Sequence, residues 1–360
     1  MADGTVGLSE AIRRETAPVW EKVNDQITPL EWPGYATLIH EINALKRDRD
    51  AVILAHNYMT PEIFHGVGDY VGDSLGLAKE AAKSKAKIIV QAGVKFMAET
   101  SKILSPEKTV LIPDLRAGCS LASSITGADV RMIKARYPGL PVVTYVNTNA
   151  DVKAETDICC TSANAVQIVE WAAREWGVDR VILIPDEYLA KNVAAQTEVG
   201  IIAWQGSCEV HERFTAEDIA EMRRAWPDAQ ILAHPECPEE VLNAADFAGS
   251  TAAMIDFVHD KKPERVVMIT ECSMASNVAG DIPEVKFIGP CNMCPHMKRI
   301  TLEAIRDSLL HHQFEITVPE DMAERARLAV QRMVDLPPPT VPARYDLVKA
   351  RGHHVQVELI

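Results

Sequence analysis

The sequence predicts an α/β protein: three similar α/β/α domains with parallel sheets, in a pseudo-threefold arrangement around a central active site. Three observations carry this expectation. One set of apolar runs recurs at a constant period. Each unit alternates short β-branched runs with helical patterns. The polar side chains that recur fall just past strand ends, where parallel sheets bind their ligands.

Taken in order, residues 1–34 read as a helical extension ending near Pro33-Gly34. Three repeats follow over 35–125, 126–213 and 214–300, then C-terminal helices over 301–336 and a proline-rich linker and tail over 337–360. The repeats open with AVILAHNY (51–58), LPVVTYVN (140–147) and AQILAHPE (229–236). These align His56, Tyr145 and His234 at intervals of 89 and 89 residues. Downstream, GDSLGLAKEAA, CTSANAVQIVEWAA and GSTAAMIDFV place a hydroxyl before a helical period. The hydroxyl residues are Ser74, Ser162 and Thr251, spaced by 88 and 89. Further buried strands are expected at KIIVQAG, RVILIPD and RVVMITE. Each third closes on a cysteine loop, VLIPDLRAGCS, GIIAWQGSC and VKFIGPCNMC, with Cys119, Cys208 and Cys294 spaced by 89 and 86. Continuous β-branched runs alternating with helical patterns mark parallel strands covered by helices.

Composition excludes several function classes. The net charge of −14, without a Lys/Arg stripe, argues against nucleic acid as a partner. No apolar run approaches the ~18 residues that span a bilayer, and the first residues lack a secretory leader, so a cytoplasmic, membrane-free protein is expected. The eight cysteines are not the dense framework of a secreted mini-domain; in a reducing compartment they stay thiols, suited to metal binding.

Three thiolates, one per repeat, suit a four-iron cluster with one open iron able to act as a Lewis acid. Cys291-x-x-Cys294 alone resembles half a zinc knuckle, but no second CxxC completes it. Cys159, Cys160 and Cys237 read as buried small hydrophobes. Ser74, Ser162 and Thr251 stand where helix N-caps belong, and such helix ends also bind anions. His56, Tyr58, Tyr145, Asn147, His234 and Glu236 would line the remaining walls with acid–base groups and amide donors. His211 stands close enough to Cys208 to orient its loop.

At these residues the chain resembles the quinolinate synthase family over roughly 40–335. The resemblance rests on ILAHNY, GDSLGLA, AGVKFMAET, AGCSLA, TYVNTNADVKAETDICCTSANA, WQGSCEVHE, LAHPEC, GST and CNMCPHMK. It implies a [4Fe–4S] cluster on Cys119, Cys208 and Cys294. It also implies a transferase- or lyase-type condensation and cyclisation of iminoaspartate with dihydroxyacetone phosphate, within NAD biosynthesis. L-aspartate oxidase or aspartate dehydrogenase would be the functional partner upstream. The substrate contacts it implies are His56 and Ser74, then Tyr145, Asn147 and Ser162, then His234, Glu236, Ser250 and Thr251. Tyr58 would close over the substrate, and Glu236 would be the general base, with Tyr145 and His234 beside it.

The segment CSMASNVAGD after Glu271 departs from the family pattern and reads as a loop. Cys291 stands as a spare thiol, either buried or able to form a reversible disulfide with Cys294. Two rival readings are a lysine Schiff-base aldolase using Lys95 or Lys191, and a cysteine-based iron or redox sensor.

Overall fold

The computed structural model describes residues 7–337 and 357–360. Its strands form three parallel sheets separated by helices, the α/β architecture expected from the repeat. The first sheet holds β1 (Ala51–His56), β2 (Tyr70–Gly72), β3 (Ile88–Ala92) and β4 (Thr109–Leu111), in the order β2-β1-β3-β4. The second holds β5 (Val142–Tyr145), β6 (Ile158–Cys160), β7 (Arg180–Ile184) and β8 (Gly200–Ala203). The third holds β9 (Gln230–Ala233), β10 (Phe247–Ala248), β11 (Arg265–Ile269) and β12 (Lys286–Ile288). Their orders are β6-β5-β7-β8 and β10-β9-β11-β12, so all three share one topology.

The second sheet carries an addition. β13 (Val357–Leu359), from the segment expected as a tail, pairs in parallel with β8. Arg180 meets Glu358 at 2.5 Å, and the Tyr137 hydroxyl donates to the same carboxylate. The linker residues 338–356 lie outside the described residues.

Burial explains the strand signal. All five residues of β3 and all four of β5 are buried, as are the last four of β7 and of β11. Sheets covered on both faces need such runs rather than an alternating pattern.

Local capping repeats as well. Thr126 and Thr215 each form a reciprocal capping box with an aspartate three residues on, and Thr301 caps its helix through the N–H of Ala304. Each threonine stands seven residues after Cys119, Cys208 or Cys294. The cysteine loops are therefore delimited by the same helix start.

Two expectations need correction. Pro33-Gly34 does not end the first helical region: a helix runs Glu10–Val23, and a second, Trp32–Arg49, has Pro33 in its first turn. A proline is tolerated there because the first N–H groups of a helix have no intrahelical partner. The segment after Glu271 is not a loop but the helix Cys272–Asp281.

The chain divides into two compact units. One comprises residues up to Ala117 with Cys272–Pro283 and Met293–Thr317; the other comprises Gly118–Glu271, Glu284–Asn292 and residues from Val318 onward. The first contains the first sheet, and the second contains the other two.

Candidate active site

The expected site residues of the second and third repeats converge within one unit. Tyr145 ends β5, while His234 and Glu236 follow β9, so a parallel strand end delivers each side chain. Glu236 lies at the centre and is 3% exposed. The Tyr145 hydroxyl donates to its Oε1 at 2.5 Å, and Asn147 Nδ2 approaches the same oxygen at 3.5 Å. His211 Nδ1 lies 2.7 Å from Oε2, and its Nε2 lies 2.9 Å from Thr270 Oγ1 at the end of β11. Burial alone would raise the Glu236 carboxyl. The His211 and His234 imidazoles beside it, with hydrogen bonds from His211 and Tyr145, outweigh it and hold the group well below the usual carboxylate range.

The tautomer of His234 follows from its backbone. The Glu236 N–H donates to His234 Nδ1 at 3.3 Å, so the ring proton sits on Nε2, which lies 3.4 Å from Ser162 Oγ. His234 also stacks on His211 with ring centroids 4.6 Å apart. In the other unit the first repeat has the same device. The Tyr58 N–H donates to His56 Nδ1 at 3.2 Å, and the two rings meet edge to face at 4.7 Å. Lys298 fixes this loop from the Cys294 turn, donating to the Tyr58 carbonyl at 2.8 Å and to Ser273 Oγ at 2.6 Å.

The hydroxyl residues are not the caps. Asp73 caps the helix that starts at Ser74, accepting from Gly76 N–H at 2.8 Å. Ser250 caps the one that starts at Thr251, accepting from Ala253 N–H at 3.3 Å. Ser162 precedes the helix Ala165–Trp176, whose cap position is Asn164. Ser74 and Thr251 are thus the first residues of their helices rather than the caps, and Ser162 lies two residues before Asn164.

Cys119 and Cys208 are half-buried thiols in the same unit. Ser120 ties their loops together, donating to the Ser207 carbonyl at 3.1 Å and accepting from Glu209 N–H at 3.1 Å. Burial first, then the charges of Glu236 and Cys119, push the Cys208 thiol up, opposed by the N–H groups of His211 and Val210 directed at its sulfur. Donor atoms of Cys208, His211 and Glu236 lie within 4.8 Å of one another, a group that could hold a metal ion. The backbone N–H groups at the Cys208 sulfur favour its thiolate, the form in which a cysteine binds iron.

Cys294 is a half-buried thiol in the other unit, where Lys298 N–H donates to its carbonyl at 3.1 Å. Cys291 is exposed and disulfide-bonded. Cys291 is therefore not a buried spare thiol, and Cys294 stands outside its disulfide. Cys159, Cys160 and Cys237 are fully buried, and burial raises all three thiols, Cys159 to about 11. Lys95 and Lys191 are each paired with a glutamate one turn away on their own helix and keep substantial solvent exposure. Neither is the desolvated amine that an imine mechanism needs.

Sequence reasoning missed Asp186, Thr270, Ser120 and Lys298. Asp186 stands one residue past the cis Ile184–Pro185 bond, and its backbone bridges to Gly206 on the way to Cys208. A side chain at 206 would clash with the Pro185 carbonyl oxygen, which only glycine avoids. Burial, then the charge of Glu236, raises the Asp186 carboxyl well above its ordinary range. The available signal was its place in the repeat, where Asp186 and Glu271 follow RVILIP and RVVMIT.

Among the described residues, no helix is long and apolar enough to cross a membrane. The family model described as quinolinate synthetase A protein matches residues 40–335. The chain is 76% identical over 349 residues to the quinolinate synthase of Caulobacter vibrioides strain NA1000 / CB15N, covering 97% of this chain and 95% of the relative. It is 60% identical over 331 residues to that of Sinorhizobium fredii strain NGR234, covering 92% and 91%. It is 61% identical over 296 residues to that of Xylella fastidiosa strain 9a5c, covering 82% and 86%.

Proposed function

Because the chain belongs to the quinolinate synthetase A family, we propose that it makes quinolinate for NAD biosynthesis from iminoaspartate and dihydroxyacetone phosphate. The condensation releases inorganic phosphate and two waters as the pyridine ring closes. The observation that carries this reading is Glu236, an ionised carboxylate buried among Tyr145, Asn147, His211 and His234 beside the Cys208 thiol.

Cys119, Cys208 and Cys294 would hold a [4Fe–4S] cluster, whose open iron supplies Lewis acidity toward a departing hydroxyl. The equivalent cap after each cysteine supports choosing Cys294 over Cys291. The chain's own residues do the rest. His234 and His56, with Nδ1 occupied by a backbone N–H, present Nε2–H as donors to a carboxylate or carbonyl oxygen. Ser162, Ser250 and Thr251 stand at helix starts where backbone N–H groups favour the anionic ends of both substrates. Glu236 starts ionised and takes the proton from carbon during enamine formation and tautomerisation. Its basicity rises whenever substrate draws the Tyr145 hydroxyl or His211 away from it. Tyr58 covers the bound substrate and assists the dehydrations.

An anaerobic preparation, assayed for iron and sulfide and then for quinolinate from the two substrates, tests the reading. Protein carrying iron and sulfide that forms no quinolinate would overturn it.

A further inference from the structure

Tyr58, Asn147 and Glu236 occupy one position of the repeat, at intervals of 89 and 89 residues. Each lies in a loop just beyond a strand end, where the backbone carbonyls have left the sheet. Such buried groups must find partners elsewhere.

All three loops solve this in one way. Asn192, buried on the helix Glu187–Ala194, donates its single Nδ2 to the carbonyls of Pro235 at 2.6 Å and Cys237 at 3.2 Å. Those residues flank Glu236. Asn277, buried on the helix Cys272–Asp281, donates Nδ2 to the carbonyls of Asn57 at 3.0 Å and Met59 at 2.8 Å. Those flank Tyr58. Lys153 is fully buried and donates Nζ to the carbonyl of Val146 at 2.8 Å and to that of Thr148. Those flank Asn147. Asn192 and Asn277 also match in the repeat, each six residues after the acid that ends its strand loop, Asp186 or Glu271.

We infer that Asn192, Asn277 and Lys153 are positioning residues, each clamping the two carbonyls on either side of a functional side chain. One donor group spanning carbonyls i−1 and i+1 fixes both peptide planes around residue i. With those planes fixed, the Cα–Cβ direction of residue i is fixed too. The clamp thus aims Tyr58, Asn147 and Glu236 without touching substrate. Amide and ammonium groups serve alike because each offers more than one N–H to carbonyl acceptors. Correct aim is worth large rate factors when reacting groups must approach closely.

The inference rests on the proposed roles of those three side chains, so the test has two readouts. Asn192→Leu keeps the size of the side chain and removes both donors. The first readout is amide hydrogen exchange across residues 233–238, expected to accelerate at least tenfold. The second is kcat for quinolinate formation per iron-loaded, folded enzyme, expected to fall at least tenfold. A purely structural residue would lower the melting temperature and leave kcat and KM per folded enzyme unchanged. Wild-type exchange and kinetics in the folded variant overturn the inference. A wild type that makes no quinolinate overturns the functional reading instead, and the exchange result still decides the clamp. Should Asn192→Leu not fold, Lys153→Met and Lys153→Arg replace it, with exchange read across 145–149. Arginine retaining wild-type protection while methionine loses it supports the clamp, and equal behaviour of the two overturns it.

Discussion

Replacing Asp186 with asparagine exchanges a carboxyl for an amide of nearly the same shape, and the effect on stability should depend on pH. Asp186 Oδ1 accepts from the N–H groups of Tyr188 at 2.9 Å and Leu189 at 3.0 Å. An asparagine oxygen keeps both bonds, since the two residues cap helices about equally well. The other oxygen, Oδ2, is buried without a hydrogen-bond partner. Burial, reinforced by the charge of Glu236, raises the carboxyl and keeps its proton in the fold. In the unfolded chain the same group ionises near a pKa of about 3.9. The sign follows: above that pH the unfolded state loses a proton that the folded state keeps. Each further pH unit then costs the wild type about 1.4 kcal/mol, until the folded group ionises too. Asparagine carries no such cost. The two proteins should melt alike near pH 4 and diverge above it, with Asp186→Asn the more stable. On the usual scaling for a unit of about 200 residues, the gap opens by roughly 3–6 °C per pH unit. Calorimetry between pH 4 and 6 at constant ionic strength measures it, and a protonated-carboxyl infrared band should vanish in the variant. A gap of the same size at every pH would refute the reasoning.

Three further outcomes are expected. Cys119→Ala, Cys208→Ala and Cys294→Ala should each lose the iron–sulfur absorbance, while Cys159→Ala, Cys160→Ala and Cys237→Ala keep it; full iron content in any of the first three would sink the ligand assignment. Ser162→Ala and Thr251→Ala should raise KM at least tenfold, the loss of a charge-assisted bond of about 1.5–3 kcal/mol, with a smaller effect on melting. Melting that falls with KM unchanged would return them to a structural role. Tyr145→Phe deletes the donor on Glu236 Oε1 and releases that carboxyl upward, so the acid limb of the kcat profile should move to higher pH. The same bond range predicts roughly a 10–150-fold loss in kcat/KM, and an unmoved acid limb counts against Glu236 as the base.

Much of this was legible because the repeat aligned chemistry with strand ends. His56, Tyr145 and His234 could be read from their apolar runs, since a fully buried parallel strand must end where polar residues begin. The caps could not be placed to the residue, because Asp73-Ser74 and Ser250-Thr251 each offer adjacent side chains with cap preference. The helix Cys272–Asp281 was hidden by serines and asparagine that favour turns when read locally. Its Asn277 is held by the carbonyls of Asn57 and Met59, partners more than 200 positions away in the chain. Asn192 was hidden in the same way, because its partners, the carbonyls of Pro235 and Cys237, lie in the next repeat. β13 is three residues long and follows a proline-rich stretch, so its partner strand, rather than its own pattern, makes it a strand.

The fixed distance from each cysteine to its capping threonine acts as a ruler for tolerated change in chain length. The third repeat is shorter than the second: Ser162 to Cys208 spans 46 residues, and Thr251 to Cys294 spans 43. That shortening falls wholly before Cys294, while the seven-residue interval after it is kept. One residue inserted inside such an interval would turn the helix that follows by about 100° relative to the thiol, since a helix turns once per 3.6 residues. Insertions that lengthen the surface turns between helices should be absorbed, whereas a single-residue insertion or deletion between Cys208 and Thr215 should not.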